Sequence, residues 1–259
     1  MAIHPSAAVG FQAAAEAYER GRPAYAREAV DRLIRELAIG PRSRVLDLAA
    51  GTGKLTRMLV STGASIVAVE PVPGMRREFT RLLPGIQVLD GTAEAIPLAD
   101  RSVDAVTVGQ AFHWFDGERA LPEIHRVLRP GGGLGLIWQA RDPARPWIER
   151  LNEIIDRADD GHPRFRTGAW REAFDQSRLF EPIAEAEYRT VQRGDRQLFV
   201  DRVASISYVA AMPDDQREVV LDAVRTLLAT EPDTAGQEVI ELPYRAHVYW
   251  TRARPGPGR

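Results

Sequence analysis

The chain has 259 residues, 34 basic against 36 acidic side chains, a net charge of −2, 44% hydrophobic residues and no cysteine. That size and apolar share suit one large α/β domain or one domain with an insertion. The near-neutral balance argues against nucleic acid or an anionic membrane as partner, and the lack of cysteine excludes disulfides, thiolate zinc sites and cysteine nucleophiles.

In chain order, Met1-Ala2-Ile3-His4-Pro5 lacks the basic and apolar regions of a signal peptide, so a cytoplasmic location is expected. Residues 1–20 are alanine-rich and read as a short helix. Pro23 suits the first residue of a helix running to about Ala38, with Ala26, Val30, Leu33, Ile34 and Leu37 at helical spacing. Strands are predicted at 44–48, 65–70, 86–89, 103–108 and 134–138. Helices are predicted at 55–61, from Pro73 to about Leu83, and ending near Leu128, with Arg129-Pro130-Gly131-Gly132-Gly133 as a turn. Strands alternating with helices imply a parallel sheet covered on both faces. Residues 140–182 carry many arginines and two tryptophans. Residues 184–192 and 242–252 alternate like strands, whereas 195–211 and 213–230 look helical; the two late strands suit an antiparallel pair at the sheet edge. The Pro255-Gly256-Pro257-Gly258 tail reads as disordered. No apolar run nears the roughly 20 residues of a membrane span, and the five histidines are scattered, so no metal site is expected.

The richest stretch is Val45-Leu46-Asp47-Leu48-Ala49-Ala50-Gly51-Thr52-Gly53-Lys54-Leu55-Thr56, a buried strand, a glycine turn and a helix start. A glycine turn lets backbone approach a ligand closely. Glu70 closes the next apolar run, and a carboxylate at that strand tip can accept from both hydroxyls of a ribose. Two phosphate motifs fail: Gly53-Lys54 is followed by Leu55 instead of Ser or Thr, and Thr56 stands where a dinucleotide fingerprint needs its third glycine. Asp47 would repel a pyrophosphate but suits a cationic sulfonium with an α-amino group. The residues therefore favour S-adenosylmethionine over NAD.

Five segments then come in order with normal spacing: 45–56, Val69-Glu70-Pro71, 91–98, 102–106 and Glu123-Ile124-His125-Arg126-Val127-Leu128-Arg129-Pro130-Gly131-Gly132. This set resembles the class I S-adenosylmethionine-dependent methyltransferases, over about residues 15–140, and is most similar to their small-molecule branch with ubiquinone-biosynthesis-type and trans-aconitate-type members. The resemblance implies a Rossmann-like, doubly wound α/β fold: a seven-stranded, mostly parallel sheet with an antiparallel edge strand and helical cap insertions. It implies a helical lid at 1–40, a cofactor-binding core at 41–139, and cap insertions with C-terminal strands at 140–259 completing the same domain. S-adenosyl-L-methionine would be the cofactor and S-adenosyl-L-homocysteine the product. Asp47, Ala49, Gly51 and Gly53 would line the methionine side, and Glu70 would take the ribose. Thr92 and Ala93 would lie along the adenine, although many members have Asp where Thr92 stands. Gln110 would sit beside the sulfonium. Tyr18, Arg22 and Tyr25 match the family's amino-terminal lid.

In Gln110-Ala111-Phe112-His113-Trp114-Phe115-Asp116, His113 is expected to face the methyl acceptor as base or orienting group, with Trp114 and Phe115 shaping the pocket. The alternative puts Phe112 and Trp114 in the core, with His113 capping a helix. Arg141, Arg145, Arg164, Arg166 and Arg171 form either a carboxylate-binding set or a solvated helical face. Trp147 and Trp170 are read as pocket wall or core, Tyr208 and Tyr244 as acceptor contacts, Asp104 as structural and Arg126 as a surface residue. The expected function is methyl transfer to a small-molecule acceptor, as O-methylation of a carboxylate or hydroxyl. A nicotinamide-dependent oxidoreductase and a non-catalytic adenosyl-binding module are the alternatives.

Overall fold

A computed structural model describes residues 19, 21–159 and 161–255. The expected helix over residues 1–20, apart from Glu19, falls outside these, as do Tyr18 and the tail beyond Pro255. The sheet comprises β1 (Arg44–Leu48), β2 (Ser65–Val69), β3 (Gln87–Leu89), β4 (Val103–Gly109), β5 (Leu128–Arg141), β6 (Ala184–Gly194) and β7 (Ile240–Arg252). Their order is β3-β2-β1-β4-β5-β7-β6. The first five run parallel, and β7 pairs antiparallel with both β5 and β6. β1 and β4 are nearly continuous apolar runs because both their faces are covered; β7 alternates buried with half-buried residues over most of its length.

The 129–133 turn proves to be an irregularity inside β5. Pairing with β4 jumps from Val103↔Leu128 to Ala105↔Gly133, and Gly131 takes up the bend at φ +77°, as bulged strands require. The first helix also differs. α1 (Arg27–Glu36) starts after Ala26, four residues beyond Pro23, because the segment before it runs along the edge of a cavity described below. The remaining helices are α2 (Lys54–Leu59), α3 (Pro73–Leu82), α4 (Gly117–Val127), α5 (Pro146–Arg157), α6 (Glu172–Gln176), α7 (Arg196–Ala204), α8 (Ser207–Ala210) and α9 (Asp214–Thr230).

On one sheet face α1 buries Ala29, Val30, Leu33 and Leu37 against Val45, Ala105, Ile137 and Val248. Gly133 and Gly135 permit this approach: a Cβ on either would stand 2.7 Å from the Leu37 side chain. On the other face α4 buries Leu121, Ile124 and Val127 with Leu46, Val106, Leu136 and Trp170. A separate cluster unites Trp147, Leu151, Phe199, Val224 and Tyr244 beneath the cap helices. Both cap tryptophans are therefore core residues. Among the described residues no helix is long and apolar enough to cross a membrane.

Two polar residues fix the frame. Asp104 accepts from the Arg44 backbone N–H at 2.7 Å and pairs with Arg129 at 2.8 Å, a structural role as expected. Arg126 is not a loose surface residue. Its guanidinium donates to the carbonyls of Leu98 (2.8 Å) and Ile96 (2.9 Å) and pairs with Glu123 and Asp100, so it staples the loop before β4. Arg126→Ala should lower stability by about 1–3 kcal/mol, since buried acceptors lose their donor; urea unfolding reads this directly, and a change within error would free the loop from this staple.

Candidate functional site

The chain reverses its winding between β1 and β4, where ligands of open α/β sheets lie at the carboxyl ends of the strands. The turn after β1 carries Ala49 at φ +55°, Gly51 at +58° and Gly53 at +84°. The two glycines serve different ends. A Cβ on Gly53 would fall 2.6 Å from Leu83 and 2.9 Å from Phe79, so Gly53 seats the turn on α3. A Cβ on Gly51 would meet nothing within 4 Å. Gly51 opens onto a small cavity that Asp47, Ala49, Thr52, Lys54 and Tyr25 also line.

Glu70 lies just past β2 and is 5% exposed. One carboxylate oxygen accepts from the Gly51 N–H and the other from the Val72 N–H, each at 2.8 Å. Burial nevertheless pushes its carboxyl up to about 7. Each oxygen retains capacity for a further donor. Asp47 is wholly buried and accepts from the hydroxyls of Thr56 and Thr107; burial raises it to about 6 against the pull of those hydroxyls. Thr56, which spoils the dinucleotide fingerprint, is thus the residue that holds Asp47.

Tyr25 and Lys54 also border a narrow passage, joined there by Arg22, Gln110, Gln139, Arg202 and Tyr244. The Tyr25 ring lies over Gly109, where a Cβ would come 2.5 Å from its hydroxyl. Beyond the passage an open-mouthed chamber shares Arg22, Gln110, Gln139 and Arg202 and adds His113, Trp114, Arg141 and Tyr208. Three cavities linked by shared walls therefore run from the glycine turn into the cap. The segment before α1 is tied to the turn by Glu19, which accepts from Thr52 and Arg57 at 2.6 Å each and pairs with Lys54 at 3.2 Å.

Gln110 stands at the junction in a left-handed conformation, φ +59°, a strain that non-glycine residues keep where surrounding contacts enforce it. Here its N–H donates to Ile137 O at 2.8 Å and its side-chain amide to Gln139 O at 3.0 Å. His113 receives the Trp138 indole N–H on Nδ1 at 3.1 Å. An indole only donates, so the histidine proton resides on Nε2. Burial, helped by the Arg22 charge, pushes His113 down to about 3. This environment suits a neutral hydrogen-bond donor and not the general base that the sequence allowed.

Other expectations are revised. Phe115 packs on Phe112, ring centroids 5.2 Å apart, against the main core instead of lining the chamber; Trp114 does line it. Thr92 bridges to Ala95 just past β3, and the neighbouring Ala93 is buried. Arg141, Arg164 and Arg166 line the chamber, whereas Arg145 faces Asp233 and Arg171 stacks on Trp170 and Tyr249. Sequence reading missed Lys54, Gln139 and Arg202. Lys54 had a signal, its place directly after Gly53, but only as a failed phosphate motif. Arg202, in mid-helix, had none.

Because burial raises Glu70 and Asp47 above their ordinary values, the folded chain holds their protons more tightly than the unfolded chain. Their contribution is intact below about pH 4 and is lost as pH climbs through 6 and 7. The ligand-free protein should therefore lose stability between pH 5 and 8. Glu70→Gln removes the ionisable group and should flatten that slope, while its amide NH2 leaves one of the two backbone N–H groups without an acceptor and so lowers stability at pH 5; a pH dependence as steep as the native chain's would contradict it.

Residues 46–136 match the methyltransferase domain family. An uncharacterised methyltransferase of Mycobacterium tuberculosis is 46% identical over 239 residues, covering 91% of this chain and 92% of that protein. An uncharacterised methyltransferase-like protein of Schizosaccharomyces pombe is 33% identical, covering 92% and 93%. A malonyl-[acyl-carrier protein] O-methyltransferase of Methylococcus capsulatus is 42% identical over 197 residues, covering 72% and 69%. In fold, the chain superposes on a protein of Anaeromyxobacter dehalogenans assigned as a type II methyltransferase, with a TM-score of 0.64, 24% identity and coverage of 92% and 99%. With relatives of this identity over nearly their full length, the chain belongs to the methyltransferase family and is an enzyme of that class.

Proposed function

We propose that the enzyme transfers a methyl group from S-adenosylmethionine to an oxygen of a small-molecule acceptor held in the chamber. The observation that carries this reading is the row of neighbouring cavities with shared walls, beginning above Gly51 and ending in the chamber lined by His113 and Trp114. The residues present fit the donor: the free side of Gly51 is a cradle that a Cβ would fill, and Glu70 has spare acceptor capacity for two ribose hydroxyls. Asp47, beneath Ala49, suits a cationic ligand. The bound donor supplies an electrophilic methyl on a sulfonium.

The chain's own residues do the rest by alignment, which can supply roughly 7–11 kcal/mol in ideal cases. Gln110, fixed on two sides, marks the junction at which donor and acceptor meet. The Nε2–H of His113 orients an acceptor oxygen. Tyr25 and the segment tied down by Glu19 keep water from the passage. A carboxylate acceptor arrives ionised and needs no base, which agrees with a histidine that stays neutral. The Methylococcus relative, named for O-methylation, supports oxygen as the receiving atom. A nicotinamide reading is disfavoured by Thr56, which occupies the third-glycine position and holds a buried acid.

Titration calorimetry tests the donor. S-adenosylhomocysteine should bind, and Glu70→Ala should weaken it by about 1–3 kcal/mol; absence of heat at millimolar ligand would end the proposal. His113→Ala should leave that affinity unchanged and slow turnover by about 10- to 100-fold, the scale of one or two lost hydrogen bonds. Wild-type kcat/KM should show no histidine limb between pH 5.5 and 8; an inflection there that vanishes in His113→Ala would restore the base role.

A further inference from the structure

Besides Arg22, which borders both passage and chamber, the chamber's arginines fall into two sets. Arg164 and Arg166 both pair with Asp156, at 2.7 and 2.6 Å, and Arg164 also meets Asp159. Deeper in, Arg202 on α7 is 6% exposed, and its Nε and Nη1 have no hydrogen-bond partner. Arg141, at the end of β5, donates Nε to the Asn152 amide oxygen at 2.6 Å, a neutral partner. Among the described residues no carboxylate pairs with Arg141 or Arg202. On the same wall Gln139, 7% exposed, has both side-chain amide atoms unpartnered.

Burying a charge without a counter-charge is expensive, so such groups are normally paired. Among the described residues two guanidiniums thus stand around one chamber without a carboxylate, which points to a ligand as their counter-charge. A guanidinium presents a planar fork that matches a carboxylate, and a free amide can serve a neighbouring oxygen. We propose that the methyl acceptor is a small organic acid whose carboxylate is held by Arg141 and Arg202 and flanked by Gln139. This rests on the methyltransferase reading above and specifies its acceptor. Arg202 borders both passage and chamber, so it alone would also suit a carboxylate on the donor side. Arg141 lines the chamber, which assigns the pair to the acceptor.

The full chain saturated with S-adenosylhomocysteine is titrated calorimetrically with succinate, citrate and benzoate, with succinamide and benzamide, and with inorganic phosphate. At least one acid should bind, with its amide at least tenfold weaker and phosphate no tighter. Arg141→Gln and Arg202→Gln should each weaken that acid at least tenfold. Arg141→Gln should hold S-adenosylhomocysteine affinity within twofold. Gln139→Glu, which brings negative charge to the same wall, should weaken the acid without removing either arginine. Arg202→Met should also raise the melting temperature of the free protein, because an unpaired buried charge is gone; a merely structural arginine would lower it. The proposal falls if no acid binds, if amides bind as well as acids, if phosphate binds best, or if the arginine variants change only S-adenosylhomocysteine affinity. If the wild-type chain binds acids but no S-adenosylhomocysteine, the anion site stands and the donor assignment fails.

Discussion

The carboxylate of Glu70 ties the site together. It reaches from the tip of β2 to the N–H of Gly51 after β1, and with its other oxygen holds Val72 ahead of α3. Two neighbouring strand ends and a helix start are thereby fixed by one buried acid. Such an arrangement is stable only because both oxygens receive backbone donors, since an unsatisfied carboxylate at that depth would be prohibitive. The glycine turn cannot relax away without stranding Glu70, and Glu70 cannot turn outward without stranding Gly51. A ligand entering here meets a cradle that is already built.

The same logic of fixed positions extends across the sheet. β4 ends in Gly109, which lets the Tyr25 ring close down, and then in Gln110, held left-handed by bonds to Ile137 and Gln139 on β5. Strain of this kind persists where several elements over-determine one residue. Here it stands at the narrowest part of the path between the turn and the chamber. His113 follows three residues later, oriented by the Trp138 indole that is itself stacked with Phe165. An apolar ring system thus sets the histidine's tautomer, and burial sets its charge.

What the sequence made legible follows from what local rules encode. The alternation of strands and helices, the glycine turn and the acid at position 70 are nearest-neighbour patterns, and the structure has them with small shifts of boundary. The start of α1 was misplaced because Pro23 is compatible both with a first helical turn and with the extended edge of a cavity; only tertiary contacts choose. The 129–132 bulge looked like a turn because its glycines bend a strand as readily as they end one. The position of 110–116 just past β4 puts both aromatics near the mouth of the site, yet side chains one residue apart, Trp114 and Phe115, have different surroundings. Arg202 and Gln139 lie far apart in sequence and meet only through the β5–β7 pairing and the packing of α7. No window of sequence contains both.

Taken together, the charges define an axis. Two acids, Asp47 and Glu70, are buried at the turn, and among the described residues two guanidiniums, Arg141 and Arg202, have no carboxylate partner toward the chamber. A cationic donor and an anionic acceptor would each be drawn to the end that lacks their charge, which brings them to Gln110 from opposite sides. Alignment is then a consequence of electrostatics in a low-dielectric cleft, where such interactions are strongest. Methyl transfer from a sulfonium to a carboxylate leaves a neutral thioether and a neutral ester. On the proposed reading the attraction between the guanidiniums and the acceptor ends when the ester forms, which favours its release, whereas S-adenosylhomocysteine keeps its α-amino group and so part of its hold at the turn.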